Sequence, residues 1–316
     1  MGCRAKPQTL LAAALIAFAA GCGSGCSTPH PGAQPPAAAA AAGRTSASAA
    51  SAAAAPSVTT SAQDPAELAT AAQLDAILAG DQRSAADRER DAYRHPRETL
   101  LFFGIRPGMH VVEVWPEPGW YTQIIAPLVH ARGRYYAALL PPDPASIYLT
   151  SRRKAFRDML AARADLYGGT EITTLGPGGG DIAPDGSADL VVTFRNLHDW
   201  MAEGWAPQAV AAMYRALKPG GVLGVVDHRG KAGLPQDPKA KSGYVEEDYA
   251  VQMIEAAGFK LSARSEINAN PRDTKDYPQG VWTLPPTYRL GTVDRDKYAA
   301  IGESDRFTLK FRKPAG

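Results

Sequence analysis

The chain has 316 residues, 45% of them hydrophobic and 21% charged, which is enough apolar material for a core and too much for a disordered tail. Lys and Arg number 34 against 32 Asp and Glu, and the formal charge of +2 vanishes if Arg4 and Lys6 leave with an amino-terminal leader. With no Lys/Arg run, that balance argues against nucleic acid and against an unaided grip on an anionic membrane, leaving a small-molecule ligand as the expected partner.

Cys3, Cys22 and Cys26 are the only cysteines, so the body holds no internal disulfide, no Cys-ligated zinc, no iron–sulfur cluster and no thiol nucleophile. The first 26 residues read as an export signal. Arg4 and Lys6 form a positive start, and Leu10 to Ala20 is an apolar stretch too short to span a bilayer comfortably. Ala19-Ala20-Gly21-Cys22 resembles a bacterial lipobox, which makes Cys22 the expected lipidation site and residues 1–21 the removed signal. Gly23, rather than Asp, follows it, which resembles sorting to the outer membrane. A lipid anchor facing the periplasm is the expected location and the only expected membrane contact. Residues 22–63 are Ala, Pro, Ser and Gly with almost no large apolar side chain, so burial cannot offset their ordering entropy and they read as a tether.

A domain over residues 64–316 opens at Asp64-Pro65-Ala66-Glu67, a capping residue, a proline and a capping-box acid that start a helix ending at Gly80. A charged helix is expected over residues 84–94 and a shorter one over 96–103. Short β-branched runs then alternate with helical stretches. Strands are expected at 110–114, 134–139, 172–175, 189–194, 222–227, 260–267 and 307–311, and helices at 122–129, 145–164, 207–217 and 245–257. Apolar strands separated by helices argue a mostly parallel sheet covered on both faces, and the last two runs, lacking a helix between them, argue an antiparallel edge hairpin. The expected fold is α/β, a doubly wound seven-stranded sheet, with function at the carboxyl ends of the strands.

Ala216-Leu217-Lys218-Pro219-Gly220-Gly221, the strand after it and Ala256-Ala257-Gly258-Phe259 resemble class I S-adenosylmethionine-dependent methyltransferases. Gly108 to Val114 is similar to their first strand, with Glu113 at the acidic position, and Ser187 to Val192 to their fourth. EVWPEPGWYT, TFRNLHDW and IGESDRFTLKF look like an uncharacterised group of exported bacterial methyltransferases. The resemblance implies S-adenosylmethionine as cofactor, held by Glu113, Trp115, Glu117, Gly119, Asp143, Asp181 and Asn196. The first loop departs from the family's Gly-rich turn: only Gly119 matches, and Trp115 stands at the first glycine, where its bulk is expected to enter the methionine pocket. Leu139 replaces the acid that binds the ribose hydroxyls, with Asp143 the nearest substitute, and Asp181 is the residue expected to face adenine.

His198, His228 and Asn196 are the catalytic candidates, since methyl transfer needs geometry and at most one base near neutrality. His198, Asp199, Asp227 and His228 form a hydrogen-bonded network on this reading rather than a metal centre. Trp115, Trp120, Trp200 and Trp205 either wall a ligand pocket or fill space, and residues 268–291 form a lid or an elaborate hairpin connection. The expected function is methyl transfer to a small molecule by an envelope lipoprotein. The alternative is an inactive binding lipoprotein that keeps the fold.

Overall fold

The computed structural model describes residues 64–316, so the leader, Cys22 and the tether lie outside the described residues. Helix α1 (Pro65–Leu78) starts where Asp64 accepts the Ala66 amide at 2.9 Å. The charged helix expected next is two, α2 (Ala85–Glu89) and α3 (Asp91–Arg94). The Asp87 carbonyl, which a continuous helix would give to Asp91, accepts instead from the Arg90 amide at 3.3 Å, Trp120 Nε1 at 3.1 Å and Arg83 Nη2 at 3.4 Å. A distant tryptophan thus joins local donors at the break. Helix α4 (Pro96–Phe103) follows as expected, ended by a left-handed Gly104.

The remaining elements are β1 (His110–Val114), α5 (Thr122–Val129), β2 (Arg134–Leu139), α6 (Ile147–Ala162), α7 (Ala164–Tyr167), β3 (Glu171–Thr174), β4 (Ala188–Phe194), α8 (Leu197–Glu203), α9 (Ala206–Ala216), β5 (Leu217–His228), α10 (Glu247–Ala256), β6 (Lys260–Ser265), α11 (Arg295–Ile301) and β7 (Arg306–Arg312). The seven strands form one sheet in the order β3-β2-β1-β4-β5-β7-β6. β1 to β5 run parallel, and β7 is antiparallel to both β5 and β6. The expected architecture is the one observed. One apolar cluster, with Leu100, Phe103 and Ile124, lies under α1, α4 and α5, and another, with Trp200, Met213 and Phe259, lies under α8, α9 and α10.

Two local expectations change. The Lys218–Gly221 turn is a bulge within β5: Leu217 already pairs with Ala188, and regular pairing resumes at Val222 with Leu190. The segment after β6 is a pinned connection. Asn268 Nδ2 donates to Thr99 Oγ1 (3.0 Å) and Thr308 Oγ1 (2.9 Å), and the Asp273 carboxylate accepts from Tyr244 and from the Asp305 amide. It also carries α11, which no period-3.6 pattern announces.

Candidate functional site

The loop after β1 turns through two left-handed residues, Trp115 (φ 51°) and Gly119 (φ 107°). That conformation costs a non-glycine residue about 1–2 kcal/mol, so the Trp115 backbone holds a glycine's path under strain. The left-handed φ of 107° is what calls for glycine at position 119, and a Cβ there would also press on the flexible end of Met159 at 2.7 Å. The Trp115 indole Nε1 donates to the Leu175 carbonyl at 3.0 Å, and its ring lies 5.7 Å from Trp200 and 5.4 Å from Trp205. Trp200 and Trp205 are buried packing, while Trp115 packs on them and also stands in the wall of two cavities. Trp120 lies between Arg83 and Arg94 instead, 5.0 and 4.6 Å from their guanidinium carbons.

Glu113 is buried at the floor of this loop and accepts from Tyr135 OH at 2.5 Å and Thr122 Oγ1 at 3.1 Å. Burial raises its pKa to about 7 from 4.5, against the opposing pull of those hydroxyls. The unfolded chain therefore releases this proton first as pH rises, and folding stability falls between about pH 4.5 and 7. The loss is on the order of 3 kcal/mol. In urea unfolding at several pH values, Glu113→Gln is expected to flatten that decline.

Three cavities run along the carboxyl edge of the sheet. One of about 220 Å³ lies against the β1 loop and the end of β4, with Glu113, Trp115, Arg195 and Asn196 in its wall. A second of about 220 Å³ is bounded by Trp115, Glu117, Leu140, Asn196 and Asp199. A third of about 480 Å³ lies between Glu117, the Leu140–Pro144 turn after β2 and α6. Glu117 borders all three and is paired with Arg152 at 3.3 Å.

At the end of β4, Arg195 is again left-handed (φ 61°), and Asn196 Nδ2 ties the strand ends by donating to Val114 O (2.9 Å) and Thr193 Oγ1 (3.0 Å). His198 opens α8 with its Nδ1 2.9 Å from Asp227 Oδ1, across from the end of β5. Asp227 is fully buried and also accepts the amides of His198 (3.2 Å) and His228 (2.7 Å). Hydrogen-bonded this way, Asp227 fixes the proton on His198 Nδ1 and leaves Nε2, 3.5 Å from Asp199, as the free base. Burial pulls the His198 pKa down, but the charge and hydrogen bond of Asp227 outweigh it, and the net shift is upward. His228 is pushed well below its ordinary value by burial and by the neighbouring His198, and its Nδ1 meets Ser304 Oγ at 2.5 Å. A further cavity of about 370 Å³ has His198, Asp199, Lys241 and Trp282 in its wall. His198, Asp227 and His228 each bring a ligand atom within 4.8 Å of the others, yet Asp227 already accepts three N–H groups, so a hydrogen-bonded network describes them best.

Of the residues singled out from sequence, Glu113, Trp115, Glu117, Gly119, Asn196, His198 and His228 share this edge. Asp143 lies on the largest cavity, but its carboxylate caps the Ala145 amide at 2.9 Å. Asp181 is exposed and borders none of these cavities. Sequence reasoning missed Arg90, Arg94 and Glu303. The arginines stood only as part of the charged helix expected over residues 84–94, and Glu303 was visible only as part of the IGESDRFTLKF string.

No family model matches the chain. Ribosomal RNA large subunit methyltransferase E of Acidithiobacillus ferrooxidans is 31% identical over 121 residues, 38% of this chain and 51% of that protein. The chain thus spans about half the length of the curated relatives it matches. Among solved structures, the 4+2 cyclase SpnF superposes with a TM-score of 0.50 at 17% identity, over 79% of this chain and 95% of that one. A methyltransferase dependent on S-adenosylmethionine from Aquifex aeolicus gives 0.48 at 14% identity, over 77% and 98%. The fold is that of the class I methyltransferases. The cavities lie where open α/β sheets take ligands, outside the carboxyl ends of the strands.

Proposed function

We propose that this protein is an S-adenosylmethionine-dependent methyltransferase acting on a small-molecule acceptor, held at the bacterial cell envelope by an acylated Cys22. The observation that carries the reading is the row of cavities along the ends of β4, β1 and β2, meeting at Glu117 beside the tight Gly119 turn. The residues present fit the cofactor. Gly119 supplies the left-handed turn (φ 107°) that shapes the loop, Trp115, Asn196 and Leu140 bound the cleft, and Glu117 and Asp199 bring two carboxylates suited to a sulfonium cation. Bound there, S-adenosylmethionine supplies a methyl group activated by positive sulfur.

Asp199 borders both the middle cavity of the row and the cavity of about 370 Å³ that holds His198 and Trp282, so the latter is the natural acceptor site. His198 Nε2 takes the acceptor's proton, and Asp227 orients the ring and stabilises the imidazolium that forms. His228, kept neutral, adds no competing charge.

Calorimetric titration of S-adenosylmethionine onto the full chain tests the reading. Micromolar binding is expected, weakened at least tenfold by Gly119→Val, because a β-branched residue cannot hold the left-handed φ of 107° that shapes this turn. Trp115 at the first glycine and Leu139 at the acidic position favour the other reading, a binding lipoprotein that keeps the fold. Absence of binding at millimolar ligand would select it.

A further inference from the structure

Glu303 is a buried carboxylate surrounded by four guanidinium groups. Arg90 Nε donates to it at 2.7 Å, Arg94 Nε at 3.2 Å, Arg306 Nη2 also donates, and Arg195 Nη1 stands 4.0 Å away. One negative charge is thus set against four positive ones. The other carboxylates nearby are engaged elsewhere, Glu113 by Tyr135 and Thr122 and Glu117 by Arg152. Arg90, Arg94 and Arg195 all border the cavity of about 220 Å³ between the β1 loop and the end of β4. The Arg94 side chain is only 4% exposed, and its sole hydrogen bond among the described residues uses Nε, leaving both Nη groups free. The Arg195 guanidinium makes no hydrogen bond among the described residues, and burial, with Arg306 adding to it, lowers its pKa to about 10. Gathering four guanidinium groups around a single carboxylate beside a part-buried cavity is unfavourable for folding alone, and such forks match the planar geometry of an oxyanion.

We infer that the cavity bounded by Arg90, Arg94 and Arg195 is an oxyanion site that holds a carboxylate or phosphate group. The inference does not rest on the cofactor reading. The oxyanion has two possible sources, the amino-acid end of the cofactor or an acid group on a second substrate. An acid with net negative charge relieves the cluster more fully than a zwitterion does.

Thermal unfolding of the full chain in inorganic phosphate, against chloride at matched ionic strength, is the test. Phosphate is expected to raise the midpoint in a saturable way, because a ligand that binds only the folded state stabilises it by mass action. Arg195→Gln is expected to weaken phosphate binding at least tenfold while melting close to the parent in chloride, since its guanidinium makes no hydrogen bond among the described residues and its ion pair with Glu303 is the longest of the four, at 4.0 Å. Arg272→Gln, an exposed arginine elsewhere, controls for net charge and is expected to keep the full response. A phosphate midpoint equal to the chloride one overturns the inference, as does an undiminished response in Arg195→Gln. Displacement of phosphate by S-adenosylmethionine would identify the oxyanion as the cofactor's carboxylate, and binding of both together would assign it to a second substrate. Phosphate binding without any cofactor binding would sink the proposed activity and leave this site standing.

Discussion

His198→Ala is expected to lower methyl transfer by about 10²–10⁴-fold, the range for loss of a positioned general base. Cofactor affinity should hardly change, because His198 borders the acceptor cavity and not the row beside the β1 loop. The pH profile is the sharper readout. The base must be neutral, and its pKa is shifted up from 6.5, so the rate should rise with pH through a midpoint above 6.5. Asp227→Asn removes the charge that raises it and leaves burial in control, so the midpoint should fall. A rate profile that ignores both substitutions would remove His198 from the mechanism. The same shift has a stability counterpart: the pair's contribution is full below pH 6.5 and is lost as pH rises through the raised folded value.

Glu303→Gln is expected to cost about 3–5 kcal/mol at neutral pH, the range for removing one partner of a buried ion pair. Burial alone would raise the Glu303 pKa, but Arg306, Arg94, Arg195 and Arg90 outweigh it and hold the carboxyl well below the ordinary range. Its contribution is therefore present above about pH 4.5 and fades as pH falls through the depressed folded value. Denaturant unfolding of the two proteins should show a large gap at pH 7 that narrows on acidification. A variant within about 0.5 kcal/mol of the parent at pH 7, the scatter of surface substitutions, would mean the arginines do not depend on Glu303.

The sheet was legible in the sequence because parallel strands buried on both faces must be apolar runs, and Val111–Val114 and Leu190–Phe194 have no other reading in this context. The placement of His198 and His228 at the carboxyl ends of β4 and β5 was legible because strand ends following such runs are few. What escaped depends on contacts distant in sequence. Arg94 and Glu303 lie 209 positions apart, and neither carries a local signal that it is buried. At the break between α2 and α3 the freed Asp87 carbonyl is taken in part by Trp120, and the Trp115 indole is held by a carbonyl on the far side of β2. Asp181 shows the converse: its Gly180-Asp181-Ile182 setting fits the family pattern, while the fold leaves it exposed and off the cavities along the sheet edge.

The most direct test of the central claim is a crystal structure of the full chain grown with S-adenosylhomocysteine. The ligand is expected along the ends of β1 and β2, against Gly119, Trp115 and Glu117, with its sulfur on the side of Asp199. Ligand bound away from that edge, or crystals that exclude it at millimolar concentration, would contradict the assignment of the groove to the cofactor.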